Sequence, residues 1–168
     1  MTDKTALAIR KMIDYNAPDL RRINHAIKVF GFASAIGAGE KLDDKELEIL
    51  EASAVFHDIG IHKAEKIYKC ASGDYQQKLG PDVARPQLLE LGYNLKQIEK
   101  ICYLIGHHHT YTIKDDNLLQ MLIEADFIVN IDEKEFPDET DYEKIRDKIF
   151  VTETGKKLIN SLIIDKAK

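Results

Sequence analysis

The sequence predicts an all-α chain, and three observations carry that expectation. Apolar residues recur at helical spacing, while few windows alternate with period two. Capping patterns mark several helix starts. Proline is scarce and sits near breaks, at Pro18, Pro81, Pro86 and Pro137. In chain order, a first helix covers about 3–15. A second covers about 19–36, with Leu20, Ile23, Ile27 and Phe30 on one stripe. A third runs over about 44–57, opened by Asp43 with Glu46 three residues on. Residues 61–79 are mixed and hold Ser72-Gly73-Asp74, a turn signal. Helices follow over about 82–91, 95–107 and 116–131, and Asn94 with Gln97 forms a capping box before the second of these. Two more close the chain near 141–149 and 153–164, the first opened by Thr140 with Glu143.

The 168 residues fit one domain over 1–168, with its core at about 19–131 and C-terminal helices over about 132–168. The formal net charge is -5, from 24 Lys and Arg against 29 Asp and Glu. Phosphate neutralisation drives sequence-independent nucleic-acid binding, so an acidic chain is not expected to be a nucleic-acid scaffold. A small anionic substrate held by a few local cations remains compatible. Two cysteines, Cys70 and Cys102, make neither a disulfide framework nor a paired metal spacing. The N-terminus lacks the apolar stretch of a signal peptide, and no apolar run nears the roughly 20 residues that span a bilayer. A cytoplasmic location is expected and no membrane partner. Nothing in the composition fixes the oligomeric state.

The informative residues are polar ones inside apolar patterns. From Leu118 to Ile131, ten of fourteen residues are apolar. The exceptions form two pairs, Gln120 with Glu124 and Asp126 with Asn130, each four apart and so on one face. One pair can face solvent; the other must then be buried or line a cavity. An unpaired buried carboxylate costs several kcal/mol, which a cation would cancel. A stretch without charge, Ala52 to Val55, leads into His57-Asp58, and Gly60 then lets the helix stop or bend. Imidazole plus carboxylate suits Mn, Fe, Co, Ni or Zn. A lone His-Asp pair is common by chance, and solvated helix-end residues are the alternative.

His25 lies mid-helix, with Arg21 and Arg22 four and three residues before it on the same face. The planar guanidinium fork suits phosphate; the alternative is a solvated basic face. Gly106 precedes His107, His108 and His109, three of the six histidines, at a helix end. His108 extends the inward stripe of Ile98, Ile101 and Ile105, although histidine also suits a helix C-terminus on dipole grounds.

The order His, His-Asp and distal Asp resembles the signature of the HD superfamily of metal-dependent phosphohydrolases. The resemblance rests on His25, His57-Asp58 and Asp126, within Arg22-Ile23-Asn24-His25, Phe56-His57-Asp58-Ile59-Gly60 and Glu124-Ala125-Asp126-Phe127-Ile128-Val129-Asn130. His57 follows His25 by 32 positions and Asp126 follows Asp58 by 68, both typical gaps. The likeness spans at least residues 20–131, and the segment from Phe150 to Gly155 also resembles bacterial members. It implies an all-helical fold in which His25, His57, Asp58 and Asp126 hold a divalent transition metal, with Mg also admitted. Two departures stand out. Relatives often carry Glu, His or Lys three residues after the motif Asp, where this chain has Ile61; His62, Glu65 and His107 are candidate replacements. Relatives with two metals carry a mid-chain His where this chain offers Gln76 and Gln77, so a full second metal site is not expected.

The resemblance implies metal-dependent hydrolysis of a phosphate ester of a nucleotide or other small phosphorylated metabolite. The metal would bring a bound water to a pKa near 7. Asp58 would orient the water or bind the metal. Arg21, Arg22 and Lys28 would clamp phosphate oxygens. His107 or His108 would act as general acid, with His62 a further candidate. Tyr75, Gln76 and Gln77 would cover the pocket. Two alternatives stay open: a sensor module that binds a nucleotide without turnover, and a di-iron oxygenase of the same superfamily.

Overall fold

The computed structural model describes residues 2–133, 136–137 and 140–165, so the outermost ends of the expected 1–168 span lie outside it. No strand occurs among the described residues. The order is α1 (Asp3–Asn16), α2 (Leu20–Gly39), α3 (Asp44–Phe56), α4 (Ile61–Tyr68), α5 (Gly73–Glu90), α6 (Leu95–His107), α7 (Asn117–Asp132), α8 (Tyr142–Ile149) and α9 (Glu153–Ile159). A π-helical turn over Asn160–Ile164 continues α9. No described helix is long and apolar enough to cross a membrane.

The organising element is α7, in which every residue from Leu118 to Val129 is buried. A helix that is apolar all round is stable only with neighbours on every side. One core joins α7 to α2, α3 and the C-terminal helices through Val29, Ile36, Leu50, Leu122, Phe150 and Ile159. A second joins α1, α2, α3, α5 and α6 through Met12, Ala26, Phe56, Leu88, Ile98 and Ile105. Helices α2 and α3 serve both cores, so the end of α3 is held from two sides.

Both polar pairs of α7 turn inward, which corrects the expectation that one would face water. The C-terminal segment covers the Gln120–Glu124 face. Glu124 accepts from the Val151 and Thr152 amides at 2.6 and 3.0 Å and from the Thr152 hydroxyl. Gln120 donates to the Ile113 carbonyl at 2.6 Å. These two side chains are structural: Glu124 ties the chain's end to the central helix, and Gln120 ties down the loop between α6 and α7.

The stripe expected on α2 is also shifted. Leu20 is 70% exposed and Ile27 sits at the surface, whereas the inner face runs through Ile23, Ala26, Val29, Ala33, Ile36 and Gly37. Small residues let α3 approach. A Cβ at Gly37 would stand 2.9 Å from Leu47 and 3.0 Å from Leu50. Asn94 and Gln97 form both halves of their capping box, and Asp43 accepts from the Lys45 and Glu46 amides. At α8 the cap is Asp141, which accepts from the Lys144 amide, and not the expected Thr140.

The largest departure lies in residues 61–91. Ile61–Tyr68 form a short helix, and Ser72 opens one long helix through Pro81 and Pro86. An interior proline removes a donor and costs about 3 kcal/mol, so such a helix persists only through packing. Leu79, Ala84 and Leu88 supply it. So does a backbone contact between α5 and the turn after α3: a Cβ at Gly60 would lie 2.7 Å from the Gly80 nitrogen and 2.8 Å from the Gln76 carbonyl. Gly60 is there for close approach.

Backbone atoms cannot give way cheaply. Gly60→Ala is therefore expected to cost about 1–3 kcal/mol, the usual price of overpacking, read as a lower urea midpoint. Gly80→Ala meets only the Ile105 Cγ2 at 2.7 Å and is expected to cost less. Equal midpoints for wild type and Gly60→Ala would contradict this contact.

Candidate metal centre

Three elements deliver the cluster. The last turn of α3, Leu50 to Phe56, is buried throughout and hands His57 to the junction as a fully buried C-cap. The His57 Nδ1–H donates to the Ala54 carbonyl at 2.7 Å, which aims Nε2 at the interior. Asp58 follows in the turn before α4. His25 projects from the inner side of α2 and Asp126 from the middle of α7, at 8% and 2% exposure.

Their polar atoms converge. His25 Nε2 stands 3.2 Å from His57 Nε2, 3.2 Å from Asp126 Oδ1 and 3.6 Å from Asp58 Oδ2. His57 Nε2 stands 3.5 Å from Asp58 Oδ2 and 3.7 Å from Asp126 Oδ1. Neighbouring donors bound at 2.0–2.2 Å to one ion lie roughly 2.8–3.6 Å apart. The spacing of this nitrogen and oxygen set fits a divalent ion with little adjustment. His25, His57 and Asp58 have donor atoms within 4.8 Å of one another, enough for a shared ion.

The electrostatics point the same way. Burial pushes the His57 pKa down, but the Asp58 and Asp126 carboxylates outweigh it and raise the value to about 9. His25 is also raised: burial is the largest single influence and opposes protonation, but its bond to Asp126 and the charges of Asp58 and Asp126 together outweigh it. Asp58 is held well below the usual carboxylate range despite its desolvation, by His57 and His108. Two inward carboxylates demand positive charge, and protons on the imidazoles supply it when no ion does.

A second group shares Asp58. Its Oδ2 faces the first set, and its Oδ1 lies 3.5 Å from His108 Nε2. His108 is fully buried, its Nδ1 is fixed on the Ile105 carbonyl at 2.7 Å, and its Nε2 has no hydrogen-bond partner. Asp58, His108 and His109 have donor atoms within 4.8 Å of one another. A second donor set is therefore present, although a full second metal site was not expected from Gln76 and Gln77. Adjacent histidines at the end of α6 supply it in place of a mid-chain His. Gln77 holds that turn, its Oε1 accepting from the His109 amide at 2.9 Å and the Thr110 hydroxyl at 3.0 Å. Gln76 Oε1 accepts from His109 Nε2 at 2.9 Å. Burial and His108 push the His109 pKa down to about 4.

The cluster forms one end of a cavity of about 340 Å³. Arg21, Arg22, Ile61, Gln76, His109, Asn130 and Glu133 line it with His25, Asp58 and Asp126. The other expected site residues fall elsewhere. His107 neither lines this cavity nor joins either donor group; one step round the helix turns it outward, where it stacks on Tyr103 at 4.2 Å. Lys28 is also outside the lining, paired with Asp132 at 2.9 Å and Glu133 at 3.1 Å. His62 is bonded through Nδ1 to Arg22 at 3.0 Å and does not line the cavity. Glu65 likewise binds Arg22, at 2.6 Å. Sequence reasoning missed His109 and Glu133. Continuing the Asp126–Asn130 spacing by three residues would have reached Glu133.

Residues 22–131 match the family described as HD domain. No curated protein and no solved structure matches the chain.

A proton and a metal ion compete for the same nitrogens. Metal affinity is therefore expected to rise from pH 6.5 towards pH 9, and binding at pH 7 to release protons. Without metal, the raised His57 pKa adds stability that is complete below about pH 6.5 and lost as pH climbs through about 9. Calorimetry in buffers of different ionisation enthalpy reads the proton release; pH-independent binding without it would contradict the cluster's electrostatics.

Proposed function

From the premise that this chain belongs to the HD domain family, we propose that it hydrolyses a phosphate ester, with a small phosphorylated metabolite in the cytoplasm as substrate. The observation that carries this reading is the meeting of a metal-ligand cluster with arginines in one cavity. His25, His57, Asp58 and Asp126 would hold a divalent ion. When bound, such an ion polarises phosphoryl oxygens and makes a water acidic enough to react at neutral pH.

The chain's own residues do the rest. Arg21 reaches the cavity from the first turn of α2 and suits phosphate oxygens. Arg22 is braced by Asp19 at 2.9 Å and Glu65 at 2.6 Å, which fixes its guanidinium at the wall. Gln76 and Asn130 add amides. His109, neutral at pH 7, fits a ligand or proton acceptor and not the general acid expected of a histidine here. Ile61 puts an apolar side chain where relatives act on water, so the histidine turn carries that burden.

The carboxylate of Asp58, shared between two donor groups, favours a second reading, an oxygen-using di-iron centre. Phosphate release separates the two. Nucleotides and other phosphomonoesters screened with Mn, Co, Ni, Mg and Fe are expected to yield inorganic phosphate, and Asp126→Asn to abolish it. Arg21→Ala is expected to lower kcat/KM by about 1.5–3 kcal/mol, the worth of a charged hydrogen bond. His109→Gln should cut turnover by roughly 10²–10⁴-fold and His107→Gln should leave it unchanged. Substrate binding with no phosphate under any metal would sink the hydrolytic reading and leave the di-iron centre or a sensor module.

A further inference from the structure

Three histidines of the cluster have Nδ1 anchored, and one anchor differs from the others. His57 and His108 donate from Nδ1 to the Ala54 and Ile105 carbonyls, both at 2.7 Å. His25 Nδ1 instead meets a carboxylate, Glu133 Oε2, at 3.0 Å. Neutral carbonyls fix a ring's orientation. A carboxylate does that and also makes the opposite nitrogen a stronger donor.

Glu133 is placed for this by the central helix. It follows Asp126 by seven residues and Asn130 by three, so all three share one face of α7 and line the cavity. Its backbone caps α7, with the amide bonded to the Val129 and Ile131 carbonyls. The carboxylate is held at its other end too. Lys28, one turn along α2 from His25, donates to Glu133 Oε1 at 3.1 Å and to Asp132 at 2.9 Å. Helix α2 thus offers His25 and Lys28, and α7 answers with Asp126 and Glu133. Lys28, expected from sequence to meet phosphate, is occupied in this brace.

We propose that Glu133 is a positioning residue for the metal centre. It keeps the His25 proton on Nδ1, turns the Nε2 lone pair into the cluster and strengthens that nitrogen as a ligand, while Lys28 keeps the carboxylate in place. The inference rests on the reading of His25 as a metal ligand.

The test is titration of the full chain with Co(II), following both affinity and the visible absorption of the bound ion. Glu133→Ala is expected to weaken Co(II) binding about 10–100-fold and to shift the absorption bands. Glu133→Gln keeps an acceptor for Nδ1–H and loses the charge, so its affinity should fall between wild type and Glu133→Ala. Lys28→Met should weaken binding in the wild-type chain and add nothing in Glu133→Ala. Asp132→Asn, which removes a nearby charge that does not touch His25, should leave affinity and bands unchanged. Glu133→Ala binding Co(II) like wild type would overturn the proposal alone. So would an equal loss in Asp132→Asn, which would make the effect general electrostatics. Failure of the wild-type chain to bind Co(II) would overturn the metal reading and this proposal with it.

Discussion

Two carboxylates, the buried Asp126 and the partly exposed Asp58, point into the inner end of the cavity, and the centre of the fold is arranged around that charge. Leaving either unpaired would cost several kcal/mol, a large share of a domain's net stability. The chain answers with imidazoles whose outer nitrogens are tied down and whose inner nitrogens face the acids. Protons can balance the sum, and the spacing of the donors also fits a divalent ion. The helices that carry the donors are also those that carry the core, so disturbing one disturbs the other.

That economy explains why α7 looks as it does. An ordinary surface helix shows one apolar stripe, whereas α7 is covered on every side. One polar face holds Asp126, Asn130 and Glu133 against the cavity. Another holds Glu124 against the returning C-terminal segment and Gln120 against the Ile113 carbonyl. The second is a clasp with no part in the site, although its Glu124 stands only two residues from a cluster acid.

Much of the fold was legible because its signals are local. Caps such as Asn94 with Gln97, and the apolar run of α7, act within a few residues. The helix through Pro81 and Pro86 is not legible, because propensity argues against it and packing between distant segments sustains it, through buried Leu79, Ala84 and Leu88 and the approach of Gly60 to Gly80. The set of His25, His57, Asp58 and Asp126 is legible through the resemblance to the HD superfamily, because each of these residues taken alone also suits a solvated position. The helical period already sets His108 on the inward stripe of Ile98, Ile101 and Ile105, with His107 one step round, and the structure buries the first and turns the second outward. His109 and Glu133 escaped for a different reason: each matters through a partner far along the chain, Gln76 in one case and His25 in the other.

The chemistry of the site depends on whether these residues hold an ion. Crystals grown with Mn(II) and measured for anomalous scattering test this directly. The expected result is a peak bonded to His25 Nε2, His57 Nε2, Asp58 and Asp126. Anomalous peaks only at surface carboxylates, with His25 and His57 still paired to the acids by protons, would contradict it.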